Sequence, residues 1–166
     1  KYFLSQELKV PVHKINSLVL GGHGDTMVSM LAHTQVDGKS VLDLVKTGKL
    51  KKEVLESIVQ RTKTGGAEIV KLLERGSAFY APAASGVEMA ESYLKDLKKE
   101  LPCAAHLNKE YGFTDIYAGV PVVIGKSGIE KIVELDLSKE EKKAFDLSVK
   151  SVQDLYNVAK KIDLDL

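Results

Sequence analysis

Residues 116–125, Ile116-Tyr117-Ala118-Gly119-Val120-Pro121-Val122-Val123-Ile124-Gly125, constrain the fold of this chain most. The run is β-branched and apolar on both faces, which reads as a strand in a covered sheet. Lys126-Ser127-Gly128 turns it, and residues 129–135 return with Ile132, Val133 and Leu135 alternating. The whole stretch from Leu101 to Leu137 is therefore expected to be strand-rich. Helical patterns flank it. Ser138-Lys139-Glu140-Glu141 has capping-box form and opens a helix to about Ile162, with Phe145, Val149, Val152, Tyr156 and Ala159 as its buried face. Residues 81–100 read as one long helix, with Val87, Ala90, Tyr93, Leu94 and Leu97 at helical spacing. It starts either at the Ser85 to Glu88 capping-box pattern or at Pro82, where proline suits a first turn.

The N-terminal third alternates faster. Lys1-Tyr2-Phe3-Leu4-Ser5-Gln6-Glu7-Leu8 reads as amphipathic helix, and Pro11 breaks it. Residues 15–20 read as a strand running into Gly21-Gly22-His23-Gly24-Asp25-Thr26, and residues 27–34 as another. Asp37-Gly38 signals a hairpin whose return strand is Lys39-Ser40-Val41-Leu42. Residues 51–73 are helical, but Thr64-Gly65-Gly66 interrupts them, since two glycines cost a helix about 2 kcal/mol relative to alanine. Two helices or a sharp kink are expected there. Helices and hairpins are segregated, so the fold class is α+β, with antiparallel hairpins packed against long helices. Residues 1–166 are taken as one domain.

Composition narrows the function. With 24 Lys+Arg against 23 Asp+Glu the formal net charge is +1, which argues against nucleic acid as the main partner. No apolar run approaches the roughly 20 residues of a membrane span. One cysteine, Cys103, cannot form an internal disulfide and fits a reducing, cytoplasmic setting. No dinucleotide-binding, P-loop or zinc-protease motif is present, and His13, His23 and His33, ten apart, have no metal-site spacing, so no metal is expected. His23 stands out, because three glycines around a histidine at a strand end let backbone or ligand approach the imidazole. Histidine, with an unperturbed pKa of about 6.5, moves protons in either direction near neutrality. A turn histidine that only bonds its neighbours is the competing reading. Asp25 could orient His23 or cap backbone amides. His13, His33 and His106 read as solvated or structural, and Cys103 as a buried, inert thiol.

Leu18-Val19-Leu20-Gly21-Gly22-His23-Gly24-Asp25-Thr26-Met27-Val28 resembles the catalytic-histidine segment of the lactate/malate dehydrogenase superfamily. Residues 61–70, residues 76–85 and the 116–125 run resemble the same group, in order and over nearly the whole chain. The resemblance implies the C-terminal substrate domain, with the N-terminal Rossmann domain that binds NAD lying outside these residues. It implies that His23 accepts the proton when malate is oxidised and returns it when oxaloacetate is reduced. Gly22, Ala78 and the adjacent Ser77 fall at substrate-side positions, and Pro82 at the position packing against the nicotinamide. The family's orienting Asp and carboxylate-gripping Arg would fall just upstream of Lys1, so the 166 residues alone are expected to be catalytically incomplete. Lys1 opens mid-helix without a cap, as a fragment or processed product would; a trimmed tag or lost Met leaves the same pattern. Lactate as substrate, or a non-catalytic interaction module that retains the fold, are the competing readings. Assembly as a homo-oligomer, through apolar surface left exposed, is expected as well.

Overall fold

A computed structural model describes residues 1–163 of the chain. Helix α1 (Tyr2–Leu8) buries Leu4 and ends at Lys9, whose φ of 54° turns the chain toward a 3-10 turn at Val12–Lys14. Two short strands follow, β1 (Ile15–Asn16) and β2 (Val19–Leu20), where the sequence pattern suggested a single strand. They separate because they serve different ladders. β1 pairs antiparallel with β4 (Gln35–Val36), whereas β2 pairs with β3 (Val28–Ser29). The expected strand over 27–34 shrinks to β3, since Leu31, His33 and Thr34 donate their amides to carbonyls two or three residues back and coil the chain instead.

The Asp37-Gly38 hairpin forms as expected. Both residues take positive φ, 49° and 75°, as a two-residue hairpin turn between twisted strands requires. Its return strand β5 (Lys39–Ser40) is shorter than expected, because Ser40 caps helix α2 (Val41–Lys46) by accepting from the Leu42 amide at 3.3 Å. Leu4, Ile15, Val36, Val41, Leu44, Leu50 and Leu55 form the smaller of two cores.

Helix α3 (Lys52–Leu73) runs unbroken for 22 residues through Gly65 and Gly66, contrary to the expected break. The Arg61 guanidinium forks onto the Glu68 carboxylate (Nε to Oε2 2.9 Å, Nη2 to Oε1 2.5 Å), spanning the glycine pair across two turns. Helix α4 (Tyr80–Leu94) starts near Pro82 rather than at Ser85 and stops six residues before the expected end at Glu100. Its termination is tertiary. Buried Ser92 donates to the Ile124 carbonyl at 2.8 Å and accepts from the Lys99 amide at 3.2 Å, and Asp96 and Lys98 take positive φ to make the turn.

The larger core is the sheet β6–β7–β8: β6 (Lys99–Asn108), β7 (Thr114–Gly125) and β8 (Gly128–Ile132), all antiparallel with β7 central. Inward residues Leu107, Val120 and Val122 are fully buried. Helix α5 (Lys139–Ile162) covers this sheet, and its capping box forms reciprocally between Ser138 and Glu141 as expected. Phe145 and Val149 are buried, Val152 and Ala159 are half-buried, and Tyr156 lies exposed, so the expected apolar face is covered mainly in the helix's first half. Among the described residues no helix is long and apolar enough to cross a membrane. The α+β architecture is as the sequence implied.

Candidate functional site

His23 projects from a loop that is fastened at its root. β2 delivers Gly21 to the middle of β7, where Gly21 N–H donates to the Gly119 carbonyl at 2.8 Å and Gly119 N–H returns a bond at 2.7 Å. The two backbones can approach this closely only without side chains: a Cβ on Gly119 would lie 2.8 Å from the Gly21 oxygen. Gly21 also takes φ 93°, a conformation that favours glycine. The next amide, Gly22 N–H, is buried and donates to Ser148 Oγ on α5 at 2.8 Å. A Cβ on Gly22 would meet Thr26 Oγ1 at 2.8 Å and Val152 Cγ2 at 3.1 Å. The glycines read from sequence as room for a ligand thus also admit strand β7 and helix α5.

The His23 side of this root opens into a cavity of about 410 Å³. Its walls are Leu20 and Met27, Pro102, Cys103 and Ala104 of β6, Tyr117, Ala118 and Gly119 of β7, and Val152 of α5. None of its lining residues is Lys, Arg, Asp or Glu. Burial pushes the Cys103 thiol up, away from thiolate, which suits an inert wall. His23 itself is exposed and makes no hydrogen bond to any described residue, Asp25 included. The arrangement supplies one accessible proton acceptor beside an apolar surface.

The other sequence-derived positions lie elsewhere. Ser77 is exposed and Ala78 half-buried in the link between α3 and α4, and Pro82 is exposed in the first turn of α4. None of the three lines the His23 cavity. A neighbouring cavity of about 380 Å³ takes Ser85, one turn beyond Pro82, and shares Pro102 and Cys103 with the first. α4 thus runs along the same wall. His33 Nε2 is 2.9 Å from the Asp136 carbonyl, a structural contact, and His106 stacks edge-on against Tyr117 with its Nε2 3.7 Å from Asp115. No group of three or more His, Cys, Asp or Glu among the described residues could hold a metal.

Sequence reasoning missed Ser148. Its signal was available: Ser148 sits on the apolar stripe of α5 among Phe145, Val149 and Val152, and a small polar group on a buried stripe has to find a partner.

The chain spans about half the length of the curated relative it matches. It is 63% identical over all 166 of its residues to a malate dehydrogenase of Pelagibacter ubique, covering 52% of that protein. Among solved structures, the malate dehydrogenase of Cryptosporidium parvum superposes with a TM-score of 0.93 at 44% identity, over 96% of this chain and 51% of that one. The lactate dehydrogenase of Eimeria maxima, solved with NADH and oxamate, superposes with a TM-score of 0.94 at 37% identity, over 98% and 51%. Residues 1–162 match the family described as lactate/malate dehydrogenase, alpha/beta C-terminal domain. This chain therefore belongs to the lactate/malate dehydrogenase family and is of malate dehydrogenase-like type, its residues forming that family's C-terminal domain.

Proposed function

We propose that this chain supplies the proton-transferring, substrate-side domain, residues 1–166, of an NAD-dependent malate dehydrogenase. The observation that carries the reading is His23, exposed at the mouth of an apolar cavity while its backbone root is fixed to β7 and α5. A general base has to be both accessible and fixed in place. His23 would take the hydroxyl proton from (S)-malate on an imidazole nitrogen and return it when oxaloacetate is reduced. Gly22, which lines the cavity, would border the substrate directly, and Ala78, with Ser77 beside it, would approach it from the link between α3 and α4, outside the cavity lining.

NAD, when bound, supplies the hydride acceptor. The residues present fit a contributing face rather than a full cofactor site. Pro82 is exposed on a helix that runs along the cavity wall, and no glycine-rich dinucleotide loop occurs in the sequence. The cavity also offers no cation for a substrate carboxylate, so Lys or Arg from beyond its lining has to supply one. The 166 residues alone are accordingly catalytically incomplete on this reading. Exposed apolar side chains such as Leu72, Tyr80 and Leu94 support assembly as a homo-oligomer, and the unpaired Cys103 supports a reducing, cytoplasmic setting.

The test is a fusion in which this chain replaces the matching half of its 63% identical malate dehydrogenase relative. The fusion should reduce oxaloacetate with NADH and prefer it to pyruvate, while the 166-residue chain alone shows no turnover. Preference for pyruvate would assign the chain to lactate chemistry. A folded fusion without activity on either would point to a non-catalytic module.

A further inference from the structure

We propose that Ser148 is a positioning residue for His23, coupling helix α5 to the acid–base group; this rests on the reading of His23 given above. Three restraints converge on the two residues before His23. Gly21 is held by Gly119 through both its N–H and its carbonyl, in bonds of 2.8 and 2.7 Å. Gly22 N–H donates to Ser148 Oγ at 2.8 Å, and Ser148 is only 2% exposed. Beyond Gly22 the next backbone bond in the loop joins the Met27 amide to the Gly24 carbonyl, at 3.2 Å, so none fastens His23 itself.

The Ser148 bond is therefore the last one before the imidazole, and the only one at this root made by a side chain among the described residues. The Gly119 bridge fixes where the loop leaves the sheet. Its second bond engages the Gly21 carbonyl, which shares one rigid peptide plane with the Gly22 N–H. Ser148 Oγ takes the opposite edge of that plane through the Gly22 N–H, so the last peptide before the Gly22 Cα is held at both ends and sets the direction from which the chain runs on to His23. The contact is also tight by design of the chain: a side chain on Gly21 would collide with Ser148, and one on Gly22 would collide with Thr26 and crowd Val152 one turn further along α5. Val152 lines the His23 cavity. One face of α5 thus both orients the base and walls its site.

The experiment is amide exchange and His23 imidazole NMR on the 166-residue chain with Ser148→Ala and Ser148→Thr. In Ser148→Ala the Gly22 amide should exchange about tenfold faster or more, because its buried acceptor is gone. The His23 ring resonances should shift, while the amides of Leu107 and Val120 in the sheet keep their native rates. Ser148→Thr, which keeps the hydroxyl, should restore both signals. If Gly22 and His23 are unchanged in Ser148→Ala, or Leu107 and Val120 accelerate equally with Gly22, Ser148 is a packing residue only and the proposal fails. Should Ser148→Ala not fold, Ser148→Cys, close in size but a weak acceptor, is read by the same criteria. Failure of the His23 reading is distinguishable: it shows as undiminished turnover of a His23→Asn fusion, whatever the exchange data give.

Discussion

The sheet with α5 and the α3–α4 arm are built on opposite principles. In the first, Phe145 is fully buried against Tyr111 and Phe113, with ring centroids 5.0 and 5.9 Å apart, and glycines mark places where two backbones touch. In the second, only Leu55 and Ser92 are buried in the two helices, while Leu72, Tyr80 and Leu94 are exposed at 77%, 80% and 78%. The proposed site positions divide the same way. His23 and Gly22 are rooted in the sheet, and Ser77, Ala78 and Pro82 ride on the arm. The proposed acid–base group is thus placed by this chain's own core, whereas the arm presents the other proposed positions on a surface with little tertiary support.

If that division is right, the same kind of substitution should have unlike effects in the two regions. Phe145→Ala should cost about 3–5 kcal/mol by leaving a core cavity, whereas Leu72→Ala should stay within about 0.5 kcal/mol; urea denaturation reads both. Gly119→Ala should destabilise by about 1–3 kcal/mol, because the new Cβ strikes the Gly21 carbonyl. Gly65→Ala and Gly66→Ala, where a Cβ meets nothing within 4 Å, should each stabilise by about 0.5–1 kcal/mol. Equal signs for Gly119 and the helical pair would erase the distinction.

The smallest effect concerns pH. The Arg61 hydrogen bond holds the Glu68 carboxyl below its usual range, so the bond favours the folded helix at neutral pH. That contribution is present above the unfolded carboxylate value of about 4.3 and is lost as pH falls through the lower folded value. Amide protection around Gly65 and Gly66 should therefore decline on acidification below about pH 4, and Glu68→Gln should abolish the step. An unchanged profile in Glu68→Gln would remove the ion pair as the reason α3 continues.

What could be read from sequence follows the same line. The Asp37-Gly38 turn, the Ser138 capping box and the 116–125 strand are local or strongly periodic, and each formed as expected. The errors fall where a distant partner decides. Periodicity registers the cost of Gly65-Gly66 but not the Arg61–Glu68 fork across it. It counts Leu94 and Leu97 as helical but cannot see Ser92 reaching the Ile124 carbonyl and ending α4 early. Residues 15–20 look like one strand because nothing in them tells which ladder each half joins. For the site, His23 and its glycines were conspicuous, whereas Ser148, 126 residues beyond Gly22, was one serine among several on a helix.

The central claim is that His23 moves the proton, and turnover of a His23→Asn fusion tests it most directly. Native and variant fusions would be compared for NADH-dependent oxaloacetate reduction at matched protein concentration, with circular dichroism confirming that both fold. His23→Asn removes an exposed side chain without a hydrogen bond to any described residue, so the fold should persist while kcat drops by about 10²–10⁴. Turnover within a few-fold of the native fusion would contradict the assignment of His23 as the acid–base group.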